Sequence, residues 1–327
     1  MPAVPAVPAA DLSPSLVEVE IGGHRFNCAV AAAATDGFSD WIRSGAGTEA
    51  PVHWAQRLVQ PEWCVLDLGA NLGTFSFPIA HDCRQVVAVE ALPANYVLLT
   101  VAAASNDVPV VPVHAAVWDR HATISMSGHS AWAQAVDHAE GHIPGLRVRD
   151  LVDAYADGEI DLVKIDIEGA EAAVMPDVLA LAERRDRFAI IYEANQALST
   201  DDVRGLHRSV AEAGFALWYL DPMSLRAMPV DLDVPQFVLN CDVLALKGEA
   251  ATELPSSGWS VDELAERMAW EVEQNGTDAC RWYARAVLEQ LPRDVAEHPA
   301  VVAALGAEDI DDAAGREVSR YRRLIGG

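Results

Sequence analysis

Two short stretches carry residue types that could do chemistry. In IDLVKIDIEGAE, residues 160–171, Lys164 and Asp166 alternate onto one face of an expected strand, and Glu168 follows at once. Glu193 and Asn195 stand at the end of the next expected strand, RFAIIYE. Carboxylates from two adjacent strand ends can act in three ways. They can cap helices and pair with Lys164 as scaffold, with Glu168 placed as an acid at a helix N-terminus. They can hold a divalent cation through oxygen, although a third oxygen ligand is not obvious from the spacing, so no metal is expected. They can grip a substrate by charge-assisted hydrogen bonds, which is the favoured reading. Lys164, Asp166, Glu168 and Glu193 are thus the candidate catalytic group.

The second stretch is VLDLGANLGTF, residues 65–75. Gly69 and Gly73 would let the backbone pass close to a ligand. The spacing is not G-x-G-x-x-G, so a pyrophosphate cradle is poorly supported. Asp67 places negative charge where a phosphate binder would avoid it. Glu90 ends the following strand, 21 residues after Gly69, the spacing at which a carboxylate can accept both hydroxyls of a ribose. A cationic nucleoside without phosphate fits these residues, and S-adenosylmethionine is such a molecule.

These residues need a frame. Strands are expected at 63–68, 85–90, 108–114, 160–166, 187–193, 215–220 and 237–247, with helices at 51–60, 72–82, 93–104, 148–156, up to 184, and 201–213. Alternation of this kind implies an α/β fold with a mostly parallel sheet covered on both faces. The last two strands lack room for a crossover helix and are expected to pair antiparallel. LVEVEIGGHRFNCAV, residues 16–30, reads as a hairpin turning at Gly22-Gly23. Four regions follow: a Pro/Ala tail at 1–14, a hairpin and helix at 15–60, a ligand-binding domain at 61–248, and an acidic helical segment at 249–327.

In order and spacing, VLDLGANLG, VVAVEALPANYVLL, VPVHAAVWD and IDLVKIDIEGAE resemble the FkbM-type methyltransferases over roughly residues 35–245. The resemblance implies a class I methyltransferase (Rossmann-like) fold, a seven-stranded sheet with its last strand antiparallel. It implies S-adenosylmethionine over Gly69–Gly73, with Asp67, Asn71 and Thr74 in the same turn. The ribose would lie on Glu90 and adenine near Ala91, Leu92 and Ala115–Ala116. Family members mostly methylate hydroxyls of sugars, polyketides and related small molecules.

Five of the ten histidines, His114, His121, His129, His138 and His142, fall in one stretch with no zinc spacing. Residues 127–145 are expected to form a long irregular loop of the kind that often covers a site. Trp132, His138, His142 and Asn195 are therefore taken as substrate-binding candidates, and Trp118 as core.

The chain carries 49 acidic and 23 basic residues, a formal net charge of −26. Such a field repels polyanions and gathers cations, which argues against nucleic acid as a partner. No apolar run is long enough to span a bilayer, the N-terminus lacks the basic start of a signal peptide, and five scattered cysteines without a CxxC pair indicate no disulfide framework. A cytoplasmic enzyme acting on a small molecule is expected, with a homodimer left open. Within natural-product biosynthesis, the charge narrowly favours N-methylation of a cationic amino sugar such as an aminoglycoside intermediate. The alternatives are O-methylation of a sugar or polyketide hydroxyl, and a nucleoside-binding scaffold without catalysis.

Overall fold

The computed structural model describes residues 12–34, 37–127, 134–137, 141–194, 200–221, 225–230 and 241–248, with the single positions 232, 254, 262 and 299. The tail at 1–11, almost all of 249–327, and the candidates His129, Trp132, His138 and Asn195 lie outside the described residues. The chain divides into two compact units. One comprises residues 1–193, 210–227 and 242–254, the other 194–209, 228–241 and 255–327. The described elements that position the site belong to the first.

That unit begins with a hairpin, β1 (Pro14–Ile21) and β2 (His24–Ala31), paired antiparallel from Pro14↔Ala31 to Ile21↔His24. Gly22 and Gly23 form the turn at φ +60° and +78°, the left-handed pair that a two-residue hairpin turn demands. Two helices follow, α1 (Gly37–Arg43) and α2 (Ala50–Leu58). Only α2 was expected.

β3 (Cys64–Leu68) is buried at every position, as a central parallel strand must be. The turn after it leads to a short helix, α3 (Ser76–Ala80), where residues 72–82 were expected to be helical. β4 (Gln85–Glu90), α4 (Pro93–Ser105) and β5 (Val110–His114) continue the alternation. After them come α5 (Val148–Tyr155), β10 (Ile160–Ile165), α6 (Glu171–Ala182) and β11 (Phe188–Ala194). The chain then runs through α7 (Thr200–Glu212), β12 (Ala216–Leu220), a three-residue strand β13 (Ala227–Pro229) and β14 (Cys241–Lys247).

The main sheet has the order β13-β12-β14-β11-β10-β3-β4-β5. β10, β3, β4 and β5 are parallel neighbours, β10 is parallel to β11, and β12 runs antiparallel to β14. This is the mostly parallel sheet with an antiparallel closing strand, extended by the short β13. The sheet order reverses at β3 and β10, so the crevice at their carboxyl ends is the switch point where such sheets bind ligands.

The described residues between 116 and 146 depart from the irregular loop expected at 127–145. β6 (Ala116–Val117), β7 (Ala122–Ser127), β8 (Gln134–Asp137) and β9 (Ile143–Leu146) form a second sheet, ordered β6-β9-β7-β8. A small apolar centre of Ala116, Ile124 and Ile143 holds it, with Trp118 packed at its margin. Gly141 lets the backbone pass against Ile124, since a Cβ there would lie 2.5 Å from the Ile124 carbonyl carbon. Among the described residues, no helix is long and apolar enough to cross a membrane.

Candidate active site

The turn after β3 is tied to its neighbours by backbone groups. Gly69 and Ala70 amides both donate to the Val89 carbonyl, at 3.0 and 2.9 Å, and the Asp166 amide donates to the Leu68 carbonyl at 2.9 Å. Gly69 sits at φ +84°, and a Cβ there would lie 1.7 Å from the Asp166 carbonyl oxygen. Any side chain would push the ends of β3 and β10 apart, so glycine is required here.

Glu90 joins two turns. One carboxylate oxygen accepts from the Asn71 amide at 2.8 Å, and the other accepts from the Leu92 amide at 2.7 Å. Asn71 itself adopts φ +50°, and its side-chain oxygen accepts from Asn95 at 2.8 Å. Each Glu90 oxygen retains a lone pair for a ligand hydroxyl. Burial drives the Glu90 carboxyl up to about 7, against the pull of its two amide donors.

The register of β10 on β3 sets Lys164 beside Asp67. The ammonium lies 2.9 Å from Asp166, 3.7 Å from Asp67, and donates to the Gly69 carbonyl at 3.4 Å. Burial opposes the charge on Lys164, but Asp166 and Asp67 outweigh it and hold the pKa above its ordinary value. Asp67 is fully buried and accepts a 2.5 Å hydrogen bond from the Ser76 hydroxyl. It braces the first turn of α3 and the base of Lys164.

A cavity of about 250 Å³ opens at the carboxyl ends of these strands. Gly69, Asn71, Thr74, Glu90, Ala91 and Ala116 line it, with Ala115, Val117 and Met126 adding an apolar wall. Lys164, Asp166, Glu168 and Glu193 line it too. Of the residues proposed for the cofactor, Asp67 and Gly73 do not reach the wall. Gly73 instead makes room for Phe77 and Leu99, which a Cβ would meet at 2.3 and 2.9 Å. Asp166, Glu168 and Glu193 each bring one carboxylate oxygen within 4.8 Å of the others, the three oxygens that the spacing alone did not show together. Glu171, fully buried, accepts from the Ile167 and Gly169 amides at 3.0 and 2.9 Å and so wraps the 166–169 turn around its carboxylate. That turn carries Glu168 at φ +56°.

The described histidines do not line this cavity. His142 is exposed beside Ile124, His121 pairs with Asp150 at 2.7 Å, and His114 stacks on Tyr96 with its Nε2 3.1 Å from the Ala91 carbonyl. The structure does not bring His142, expected to meet the substrate, to the cavity wall. Two carboxylates that had not been considered do line it, Glu49 and Asp242. Asp242 is the second residue of β14, opposite Leu220. An antiparallel strand begins at the edge where its parallel neighbours end, which carries the first residues of β14 to the crevice. Glu49 precedes α2, whose course back toward β3 leaves its N-terminus at the same edge. Glu49 is open to water through the cavity, yet the surrounding protein displaces enough solvent to raise its carboxyl, helped by Asp166. Burial, then the like charge of Asp166, brings Asp242 up to about 7.

These shifts make stability depend on pH. Glu90 and Asp242 titrate near 7 in the folded chain, against ordinary values of 4.5 and 3.8. Between those limits the folded state binds more protons than the unfolded state, so both groups make stability fall as pH rises. His53 and His81, whose pKa values burial lowers, act in the opposite sense. The expected result is therefore a difference: Glu90→Gln should flatten the fall in melting temperature between about pH 4.5 and 7 relative to wild type. Parallel thermal melts across that range check it.

Residues 67–217 match the methyltransferase FkbM domain. No curated protein matches the chain. Among solved structures, an FkbM methyltransferase from Methylobacillus flagellatus KT is 11% identical, with a TM-score of 0.39 over 60% of this chain and 47% of that one. A precorrin-6y C5,15-methyltransferase from Geobacter metallireducens GS-15 is 11% identical, with a TM-score of 0.36 over 61% and 87%. The M. jannaschii TYW2 in complex with AdoMet is 13% identical, with a TM-score of 0.38 over 71% and 84%. Likenesses of this strength say nothing of what this chain acts on. Residues 67–217 are thus similar to the methyltransferase FkbM domain, and the strand order, the glycine turn and Glu90 at the crevice fit that likeness.

Proposed function

We propose that the cavity binds S-adenosylmethionine and directs its methyl group to an amine of a cationic amino sugar or aminoglycoside-like intermediate. The observation that carries the reading is the charge of the lining. Six carboxylates, Glu49, Glu90, Asp166, Glu168, Glu193 and Asp242, face one lysine among the described lining residues, and that lysine is already held by Asp166. The donor set fits the cofactor. Glu90 offers oxygens to paired hydroxyls, Ala91, Ala115, Ala116, Val117 and Met126 offer an apolar slot for a flat base, and the acids favour a sulfonium and an ammonium.

When bound, S-adenosylmethionine supplies an electrophilic methyl on a positive sulfur, so the protein's work is chiefly alignment. Asp166, Glu168 and Glu193 hold ammonium or hydroxyl groups of the acceptor by charge-assisted hydrogen bonds. Lys164 keeps Asp166 in place and limits the mutual repulsion of the acids. The reacting nitrogen must be neutral, and Asp242, titrating near 7, is suited to take its proton. The same property favours O-methylation as the second reading, because a carboxylate of that basicity can also accept a proton from a hydroxyl.

Turnover of an amine acceptor is expected to survive EDTA, with the ammonium occupying the place a divalent cation would take between Asp166, Glu168 and Glu193. Loss of activity in EDTA with rescue by Mg²⁺ would assign those carboxylates to a metal instead. Long-range attraction should also appear as a KM that rises with salt, since ~0.15 M salt screens beyond about 8 Å. Initial rates on aminoglycoside and neutral glycoside acceptors across a salt series test the reading. A salt-independent KM with neutral acceptors alone would leave O-methylation in its place.

A further inference from the structure

Part of the cavity wall comes from outside the matched domain. Phe38 on α1, Glu49, and Pro51 and Val52 on α2 precede residue 67, and Asp242 follows residue 217. The half-buried Phe38 ring is set by a tilted contact with Trp41 at 5.4 Å between centroids. Glu49 occupies the N-cap position of α2 yet makes no capping hydrogen bond with its side chain. Its carboxylate is therefore not committed to its own helix. It lines the cavity together with Lys164, Asp166 and Asp242.

We propose that Phe38 and Glu49 select the acceptor: Phe38 receives the C–H face of an amino-bearing six-membered ring, and Glu49 holds a second ammonium on that ring. This rests on the amine reading above and deepens it to an acceptor with at least two amino groups. The pairing has a physical basis. An aromatic face attracts both apolar ring surface and nearby cations. Lys164 is already held by Asp166, so a carboxylate in this cavity still gains from a second cation, and a neutral ring would gain the aromatic contact and lose the ionic one. The matched domain would then supply cofactor binding, and the N-terminal segment would set which ring is admitted.

The test uses two rings of the same size, the diaminocyclitol 2-deoxystreptamine and the neutral cyclitol myo-inositol. Binding of each to the full chain with S-adenosylhomocysteine is measured by calorimetry, for wild type, Glu49→Gln and Phe38→Ala. Wild type should prefer the diamine. Glu49→Gln should reduce that preference at least tenfold, and Phe38→Ala should weaken both rings by similar factors. Melting temperatures within a few degrees of wild type show that the variants remain folded, as expected for Glu49→Gln, which removes no cap bond. An unchanged preference in Glu49→Gln, or no preference in wild type, overturns the subsite. Methyl transfer by wild type to a diamine, together with an unchanged preference in Glu49→Gln, overturns the subsite alone. Transfer only to neutral rings overturns the amine reading and the subsite with it.

Discussion

Glu90→Ala should weaken binding of S-adenosylhomocysteine by about 1.5–3 kcal/mol, on the order of 10- to 150-fold, the range for hydrogen bonds to a charged group. The structure adds a second consequence. The carboxylate satisfies the Asn71 and Leu92 amides as well as facing the cavity. Alanine leaves both amides without this partner, so the glycine turn and the turn after β4 should loosen together and the melting temperature should fall. Glu90→Gln separates the two effects, because its amide oxygen can still accept from one of the two N–H groups. It should recover part of the stability but little of the affinity, since its NH₂ cannot accept a ribose hydroxyl. Calorimetry on both variants checks this, and unchanged affinity in Glu90→Ala would remove Glu90 from the cofactor site.

Asp166→Asn should lower kcat/KM for an amine acceptor by about 10- to 150-fold, corresponding to roughly 1.5–3 kcal/mol. The substitution removes one of the three clustered carboxylates and the closest partner of Lys164. Lys164 would then keep Asp67 at 3.7 Å and the Gly69 carbonyl at 3.4 Å. Its ammonium would offset more of the charge of Glu168 and Glu193, and the salt dependence of KM should shrink. Asp166→Asn combined with Lys164→Met restores that balance. It should regain part of the lost binding if the charge of the acids matters, and none if Asp166 acts only by its own hydrogen bond. Steady-state kinetics on the single and double variants distinguish these outcomes.

Much of this site was legible because parallel strands end on one edge of a sheet. Asp166, Glu193 and Glu90 could be placed from strand patterns alone, since each lies at or next to the end of its strand and the switch point follows from strand order. Glu49 and Asp242 could not be read this way. Their position depends on the course of α2 and on β14 running antiparallel between β12 and β11, so both arrive at the crevice from starts of elements, not ends. The available signal was the expected antiparallel pairing itself, which sends the first acid of the last strand to the carboxyl edge. That Asp67 stands behind the wall and not on it was hidden for a related reason. Alternation fixes which side of β3 it faces, but not that Ser76 and Lys164 fill that side. The small sheet at 116–146 escaped notice because its strands are short, of two to six residues, and its apolar centre is only Ala116, Ile124 and Ile143.

The proposed function rests on transfer of a methyl group from S-adenosylmethionine to nitrogen. The most direct measurement is mass spectrometry with fragmentation after incubating the protein with CD₃-labelled S-adenosylmethionine and an equal mixture of 2-deoxystreptamine and myo-inositol. The account predicts label on a nitrogen of the diamine, at a rate that falls as salt is raised. Label on oxygen alone, in either ring and at a salt-independent rate, would contradict it.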